Sequence, residues 1–209
     1  MSRRANVYID GFNFYYGLVR GSAYKWLDLE RYFTRLRQAD DIQTIHYFTA
    51  LVRNEPQQSR QLAYLRALAT LPKLNVVEGR FKFKDVRCGV QTCTHNGPRV
   101  FRVPEEKRTD VNIALQIVQD AYEDACDIFV LVSGDSDLAP ALETVRSKFP
   151  EKEIVVYVPS RVAVRSYAVE LRSAAHKHRT LPDALLRHSL LPGSVPDGSG
   201  GFIQKPGTW

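Results

Sequence analysis

Two aspartates stand one residue apart in the stretch VLVSGDSDLAP, residues 130–140, directly after an apolar run. Asp10 ends a second apolar run, NVYID, in a similar way. Like charges that fold into one site need protonation or a bound cation to offset their repulsion. Carboxylate oxygens suit Mg²⁺ and Mn²⁺, which also keep waters and bind substrate phosphate oxygens. These aspartates therefore predict phosphodiester chemistry at a metal site.

Strand-like and helix-like segments alternate along the chain and must position these aspartates. The expected strands are 6–10, 43–52, 75–83, 127–135 and 153–159, and the expected helices are 12–21, 28–37, 57–71, 109–126, 138–149 and 162–176. Such alternation predicts an α/β fold with a mainly parallel sheet between two helical layers, a three-layer α/β/α sandwich. With 209 residues and 44% hydrophobic content, the chain has room for one such core.

The aspartates fall where loops leave the predicted sheet. Asp10 and Asp135 end strands, while Asp137 and Asp110 open helices. Loops at the carboxyl ends of parallel strands gather at one edge, so we expect the four carboxylates to converge there. Helix capping is the alternative for Asp110, Asp135 or Asp137, because acidic residues favour the first turn of a helix.

Two neutral polar residues stand close to these aspartates in sequence. Asn13 lies in DGFN and Ser133 in VSGD. Their side chains can orient a metal-bound water or a phosphate oxygen. The sequence also lacks a Gly-x-Gly-x-x-Gly turn after the first strand, a Walker loop and a Gly-x-Ser-x-Gly elbow. A dinucleotide-dependent enzyme or a serine hydrolase is therefore disfavoured.

The helix predicted at 109–126 has the clearest apolar periodicity of the chain. The apolar residues expected on its buried face are Val111, Ala114, Leu115, Val118, Ala121, Tyr122 and Ala125. This helix is also the one that carries Asp110 in its first turn. Its burial would therefore fix the position of one of the four aspartates.

Three motifs together resemble the NYN domain family, the LabA-like branch of the PIN-like nucleases. They are VYIDGFNFYYG, EEKRTDVNIALQIVQDAY and VLVSGDSDLAPALETVR, in the expected order over about residues 5–160. The resemblance implies a Rossmannoid, PIN-like α/β/α sandwich and metal-dependent hydrolysis of RNA. It further implies metal binding by Asp10, Asp110, Asp135 and Asp137, with Asn13 as a supporting polar residue of the catalytic set.

Residues 84–108 lack helical periodicity and predict an insertion or a β-ribbon. Cations cluster here, at Arg80, Lys82, Lys84, Arg87, Arg99, Arg102, Lys107 and Arg108, and Phe81, Phe83 and Phe101 stand among them. Cations with interleaved aromatic residues are typical of a single-strand binding groove. The residues expected to contact nucleic acid are Lys82, Lys84, Lys107, Arg108 and Ser133. The alternative is that the aromatic residues pack inside a ribbon while the charges only face water.

The same insertion carries Cys88, Cys93 and His95, which are potential ligands of a structural Zn²⁺. Three local ligands leave the fourth position to water, a distant histidine or a second chain. The alternative is a pair of ordinary or redox-sensitive thiols. Cys126, at the end of an amphipathic helix, is expected in the core.

The chain is expected to form one domain at residues 1–180 and a Gly/Pro-rich tail at 181–209. The tail predicts little regular structure, although Phe202, Ile203 and Trp209 suggest that its end docks on the domain. No stretch has the ~18 apolar residues of a membrane span, and three cysteines suit a reducing compartment. We expect a cytoplasmic protein without a membrane partner.

Two function classes follow from these observations. The first is a Mg²⁺- or Mn²⁺-dependent ribonuclease, for which RNA is the expected partner and DNA or nucleotides remain open as substrates. The second is a non-catalytic nucleic-acid-binding or regulatory module with the same fold. A net charge of +6 favours a polyanionic partner in both classes. The resemblance leaves a homodimer open.

Overall fold

The computed structural model describes residues 2–160 and 169–207. Within them, six parallel strands form the central sheet: β1 (Arg3–Asp10), β2 (Asp40–Thr49), β3 (Leu74–Glu78), β6 (Ile128–Val132), β7 (Glu153–Val158) and β8 (Lys177–Thr180). The remaining strands are β4 (Arg80–Arg87), β5 (Val100–Lys107), β9 (Ser194–Pro196) and β10 (Phe202–Gln204). The order of the central sheet is β3-β2-β1-β6-β7-β8. The predicted mainly parallel sheet is confirmed.

Helices connect the strands of the sheet. They are α1 (Gly11–Phe14), α2 (Leu29–Leu36), α3 (Gln57–Leu68), α4 (Thr109–Tyr122), α5 (Ala139–Lys148), α6 (Val169–Ala174) and α7 (Asp183–Leu186). A π-helical turn, Tyr15–Val19, continues α1. The chain leaves this turn through Gly21, whose positive φ of 74° favours glycine. The helix predicted at 162–176 lies partly on residues 161–168, outside the described residues.

Helices cover both faces of the sheet because its strands are apolar on both sides. Val7 and Ile9 of β1 belong to one buried cluster, which also contains side chains of α2 and α3. Tyr8, between them, belongs to a second cluster with side chains of α4 and α5. This alternation follows the two-residue period of a strand. The structure thus has the predicted three layers.

The single strand predicted at 75–83 is wrong. Leu74–Glu78 pairs in the central sheet, whereas Arg80–Arg87 pairs with Val100–Lys107 in a separate antiparallel ribbon. Gly79 separates them, and a Cβ there would lie 2.6 Å from the Thr109 hydroxyl oxygen. The chain can leave the sheet at this point because glycine permits the close approach.

The buried face predicted for α4 is correct at Ala121, which is buried, but wrong at three other positions. Val111, Leu115 and Tyr122 are 59%, 63% and 65% exposed. The side that packs on the sheet carries Thr109, Ile113, Ile117, Asp120 and Ala121. A polar residue, Asp120, is thus buried because side chains of the sheet donate hydrogen bonds to it.

The segment after α7 is more ordered than its composition predicts. β9 and β10 pair with each other, and Val195 and Ile203 are buried in the same cluster as Val7 and Ile9. The Trp26 indole donates to the Pro192 carbonyl, 2.8 Å away. The predicted docking of this segment is seen for Ile203, whereas Phe202 is exposed and Trp209 lies outside the described residues.

The described helices are all too short or too polar to cross a membrane. Cys126 is fully buried, as predicted, and burial raises the pKa of its thiol to about 11. It therefore belongs to the core and is a poor nucleophile.

Candidate active site

The candidate site lies where the strand order of the sheet reverses. β1 pairs with β2 on one side and with β6 on the other, although β6 follows far along the chain. Open α/β sheets bind ligands at the carboxyl ends of such neighbouring strands. Asp10 ends β1, and Asp135 lies three residues after the last residue of β6. Both carboxylates therefore belong to this edge of the sheet.

Asp10 is buried and held by three hydrogen bonds. The Asn13 backbone N–H donates to Oδ1 at 3.0 Å, while the Asn13 amide and the Ser133 hydroxyl donate to Oδ2 at 2.6 and 3.0 Å. Asn13 also accepts a bond from the Gly134 N–H at 3.2 Å. Burial nevertheless raises the pKa of Asp10, although these hydrogen bonds oppose that shift. Asn13 and Ser133 position Asp10, and they link the ends of β1 and β6.

Ser133 is completely buried, and its hydroxyl is used within the protein. It donates to Asp10 and accepts from the Asp135 N–H, 3.1 Å away. The sequence predicted that Ser133 contacts a phosphate directly. Ser133 has no exposed surface in this arrangement, so a phosphate cannot reach its hydroxyl. The hydroxyl instead fixes the loop that carries Asp135.

Two of the aspartates also cap helical turns, which was the alternative interpretation of the sequence. Asp10 caps the first turn of α1, and Asp135 Oδ1 accepts the Asp137 N–H at 3.0 Å. Asp137 itself is exposed. Capping uses one oxygen of Asp135 for a local bond, so it does not prevent the carboxylate from binding a second group.

Asp110, in the first turn of α4, experiences the charges of the other aspartates. Partial burial raises its pKa, and the nearby charges of Asp135 and Asp10 raise it further. The charge of Asp137 adds to the shift. Asp110 therefore lies within electrostatic reach of the other three aspartates, whereas their convergence into one metal site remains a prediction.

Glu106 is a fifth carboxylate of this group and was missed by the sequence reasoning. Burial, together with the charges of Asp10 and Asp110, raises its pKa to about 7, against a hydrogen bond from the Thr109 hydroxyl. A carboxyl group with this pKa can give or take a proton at neutral pH. The motif EEKRTD contains Glu106, but only the tertiary structure shows which glutamate is half-buried.

The donor set of this group is chemically suited to Mg²⁺ or Mn²⁺. Within residues 2–160 and 169–207, no three His, Cys, Asp or Glu side chains lie close enough together to hold a metal ion. Mg²⁺ often takes only one or two protein carboxylates, together with waters and substrate phosphates. The mutual repulsion evident at Asp110 is the kind that a cation relieves. The four predicted ligands Asp10, Asp110, Asp135 and Asp137 are nevertheless not gathered into a metal-binding group in the described part of the chain, and a metal at this edge remains a prediction.

The sequence profile of the NYN domain family matches residues 4–182, most of the chain. The chain belongs to the NYN domain family. The sequence resemblance is thereby confirmed, and so is the PIN-like α/β fold.

Two further comparisons place this NYN domain among known proteins. It is 32% identical to the 6-hydroxy-3-succinoylpyridine 3-monooxygenase HspA of Pseudomonas putida (strain DSM 28022 / S16), over 99% of this chain and 75% of that protein. It also resembles the crystal structure of VPA0982, a protein of unknown function from Vibrio parahaemolyticus RIMD 2210633. That match has 19% identity and a TM-score of 0.51, and it covers 91% of this chain and 97% of the other. The second likeness concerns the fold alone.

The β4–β5 ribbon of the NYN domain separates the predicted lysines from the face that carries Glu106. The register pairs Lys82 with Glu105 and Phe81 with Glu106. Neighbouring residues of a strand point to opposite faces, so Lys82, Lys84 and Lys107 share one face and Glu106 lies on the other. Lys107 also forms a 2.9 Å ion pair with Glu105.

The face with Glu106 has its own aromatic and cationic residues. Phe83 is 42% exposed, and the guanidinium carbons of Arg102 and Arg53 lie 4.6 and 5.0 Å from the centre of its ring. Phe81 packs edge-on against Phe12, which follows the Asp10–Gly11 turn, with ring centres 5.6 Å apart. Aromatic rings and cations thus lie together on this face, but the cations are not the lysines predicted from the sequence.

Arg108 lies between the ribbon and α4. Its φ of 80° is unusual for a residue with a side chain. It immediately precedes the first turn that carries Asp110, and its side chain is exposed. Arg108 therefore lies midway in sequence between Glu106 and Asp110, two residues from each.

The potential zinc ligands lie in the loop between β4 and β5. Cys88 and Cys93 are free thiols and partly exposed, and the His95 ring lies near Phe101, with centres 6.0 Å apart. The three side chains are not gathered into a metal-binding group in the part of the chain that the structure describes. A zinc ion on Cys88, Cys93 and His95 remains a prediction.

Proposed function

We propose that this NYN domain is a metal-dependent nuclease that hydrolyses RNA phosphodiester bonds at the acidic group. The observation that carries the proposal is the set of carboxylates at the strand-order reversal, where Asp10, Asp110 and Glu106 all have raised pKa values. Negative charge of this kind is unfavourable unless a cation offsets it. Membership of the NYN family supports the same reaction class.

The metal would be Mg²⁺ or Mn²⁺, held by carboxylates among Asp10, Asp110, Asp135 and Asp137. When bound, it would neutralise charge on the phosphodiester and favour ionisation of an attacking water. Asn13 and Ser133 keep the Asp10 carboxylate in place through their hydrogen bonds. This support preserves the shape of the site whether or not substrate is present.

Glu106 is the group in this site best suited to move a proton. Hydrolysis joins the hydroxyl of a water to phosphorus, breaks a phosphorus–oxygen bond and leaves a proton to be transferred. At neutral pH, a group with a pKa of about 7 is deprotonated in a substantial fraction of the molecules, so it can accept a proton and later return it. Thr109 donates a hydrogen bond to this carboxylate and fixes its orientation.

The RNA strand would lie along the ribbon face that carries Phe83. Arg53 and Arg102 supply cations beside Phe83, Arg108 supplies one at the start of α4, and the exposed ring of Phe83 offers a surface on which a base can stack. Lys82, Lys84 and Lys107, on the opposite face, would contribute to general attraction of the polyanion rather than to positioning.

The experiment that tests the proposal is cleavage of a 5′-labelled single-stranded RNA, with Mn²⁺, Mg²⁺ or EDTA in parallel reactions. A DNA strand of the same sequence is the matched substrate. We expect products from RNA that require a metal and are lost in EDTA. Binding of RNA without cleavage under any condition would instead support the non-catalytic nucleic-acid-binding module.

A second candidate function is oxygenation of a small hydroxylated pyridine, the reaction class in the name of HspA. It is favoured by the 32% identity that extends over 99% of this chain. Incubation with 6-hydroxy-3-succinoylpyridine, dioxygen and a nicotinamide reductant, followed by mass spectrometry, tests it. A hydroxylated pyridine that carries oxygen from dioxygen at position 3, formed as the succinoyl side chain is released, would support this function, and an unchanged substrate would rule it out.

A further inference from the structure

A cavity of about 220 Å³ begins at Gly11, the residue that follows Asp10. Aromatic rings form much of its wall, at Phe12, Phe14, Tyr15, Tyr16, Tyr47 and Tyr64. Cavities that enclose drug-sized ligands measure roughly 300–1,000 Å³. This cavity therefore has room for one small ring system with a few polar atoms, and its wall suits a planar aromatic ligand.

Several polar groups of the wall already have partners in the protein. Gln61 accepts the Val52 N–H at 2.8 Å, and its amide donates to the Ala50 carbonyl at 3.0 Å. The Tyr64 hydroxyl donates to the Leu27 carbonyl at 2.8 Å. These bonds hold the wall in shape, so the groups available to a ligand must be others.

The Tyr47 hydroxyl is one such group. Tyr47 is 7% exposed, and its hydroxyl has no hydrogen-bond partner among residues 2–160 and 169–207. A Cβ added to Gly11 would lie 3.0 Å from this oxygen, so the hydroxyl sits where the cavity meets the Asp10–Gly11 turn. Burial, with the nearby charge of Asp10, raises the pKa of Tyr47, so the hydroxyl remains a donor.

Lys25 is the second available group. It lines the cavity, is partly buried and has no carboxylate partner in the part of the chain that the structure describes. An ammonium group at the wall of an aromatic cavity attracts an anion. The cavity thus combines aromatic walls with the Tyr47 hydroxyl and the Lys25 ammonium group, and Arg60 also lines it.

We propose that this cavity binds one planar heteroaromatic ring that carries an anionic group. The ring would pack on the aromatic wall, a ring heteroatom or carbonyl would accept the Tyr47 hydroxyl, and the anion would lie near Lys25. A nucleotide has this chemistry, and so does a free heteroaromatic acid. The proposal does not depend on whether the acidic group cleaves RNA, because the cavity can be tested by binding alone.

The test is isothermal titration calorimetry on the full chain in buffer with EDTA, which separates binding from any metal-dependent cleavage. Two probes carry both features, uridine 5′-monophosphate and pyridine-3-carboxylate. Two matched probes lack the aromatic ring, ribose 5-phosphate and cyclohexanecarboxylate. We expect saturable 1:1 binding of at least one ring-bearing probe, about ten-fold tighter than its ring-free match.

Two variants locate the binding, each with a matched control elsewhere on the surface. Tyr47→Phe keeps the ring and removes the hydroxyl, and we expect it to lower the affinity for the ring-bearing probe about five-fold. Lys25→Gln should lower the affinity for this probe by a similar factor at low salt and by a smaller factor at high salt. Tyr122→Phe and Lys148→Gln alter exposed residues outside the cavity and should leave binding unchanged.

The outcomes separate the two sources of the ligand. Tighter binding of uridine 5′-monophosphate would make the cavity a nucleotide subsite, and tighter binding of pyridine-3-carboxylate would make it a site for a free heteroaromatic acid. The proposal is overturned if ring-free anions bind equally well, if no probe binds at millimolar concentration, or if Tyr47→Phe and Lys25→Gln bind like the wild type. Circular dichroism melts of both variants check that they are folded.

Discussion

At the scale of single residues, the candidate site is defined by carboxylates that oppose one another's ionisation. Asp10 remains in place because Asn13 and Ser133 donate hydrogen bonds to it, whereas Asp110 and Glu106 have fewer such donors and feel the other charges. The four aspartates of the acidic group, Asp10, Asp110, Asp135 and Asp137, were predictable because they stand at strand or helix ends. Glu106 was not, since its properties arise from burial that only the folded chain creates.

Glu106 should make the stability of the protein depend on pH. Its folded pKa of about 7 exceeds the ordinary value of 4.5, so the folded state binds the proton more tightly. Its contribution to the free energy of unfolding is therefore fully present below pH 4.5 and is lost as pH rises through about 7. Because Glu106 is partly exposed, we expect this loss to be about 1–2 kcal/mol.

Urea unfolding at pH 5 and pH 8 measures this effect. Glu106→Gln should lose less stability than the wild type between these two pH values. Glu105→Gln is the matched control, because Lys107 lowers the pKa of Glu105, which is therefore ionised throughout this range. Equal pH dependence of Glu106→Gln and wild type would show that Glu106 does not titrate near neutrality.

At the scale of elements, α4 matters most because it joins the sheet to the acidic group. Its buried Asp120 accepts hydrogen bonds from Asn6 and Tyr8 of β1, at 2.7 and 2.6 Å, and from Gln116 at 2.7 Å. Burial alone would raise the pKa of Asp120, but hydrogen bonds from His46, Tyr8, Gln116 and Asn6 hold it below its ordinary value. The bonds from β1 orient α4 and thereby position Asp110.

Asp120→Ala should lower the free energy of unfolding by about 2–4 kcal/mol, since it leaves buried donors without an acceptor. Gln119→Ala, the adjacent exposed position, removes only a bond to Glu123 and should change the free energy by less than about 0.5 kcal/mol. Chemical denaturation of both variants measures the difference. Similar stabilities would show that the Asp120 network does not hold α4.

The order of strands and helices was largely predictable, because apolar runs of strand length alternate with helical periodicity. The orientation of α4 was not. Its sequence has one apolar stripe through Val111, Leu115 and Tyr122 and another through Ile113 and Ile117, and local periodicity does not rank them. The buried stripe is the one next to Asp120, whose hydrogen-bond donors come from β1, more than a hundred residues earlier.

The division at Gly79 was unpredictable for a related reason. NVVE and RFKF have the same alternation and β-branched or aromatic content, so they read as one strand. Only tertiary pairing separates them, since one segment joins β2 and the other joins β5. Likewise, the Gly/Pro-rich end of the chain docks because scattered residues such as Val195 and Ile203 reach the core.

At the scale of the whole molecule, net charge and the charge near the site act differently. The chain carries a net charge of +6, which attracts any polyanion, but the site itself is acidic. Strand alternation in the ribbon separates Lys82 and Lys84 from the face with Glu106. The protein therefore needs other cations to guide a strand toward the carboxylates.

Two double variants with the same loss of charge distinguish the ribbon faces. Arg53→Gln with Arg102→Gln should weaken RNA binding about ten-fold and reduce the slope of log affinity against log salt by about 1.4. Lys82→Gln with Lys84→Gln should weaken binding by about two-fold or less. Fluorescence anisotropy with labelled RNA at several salt concentrations measures both. A larger effect of the lysine pair would place the RNA on the opposite face.

The most direct test of the proposed function is the initial rate of cleavage of a 5′-labelled single-stranded RNA in Mn²⁺ by Asp135→Asn. Asp41→Asn is the matched control, because Asp41 is an exposed aspartate in the second position of β2, far from the strand-order reversal. We expect Asp135→Asn to cleave at least about 100-fold more slowly than the wild type while remaining folded, and Asp41→Asn to retain full activity. Equal rates for Asp135→Asn and wild type, or products that persist in EDTA, would contradict a metal-dependent nuclease at this site.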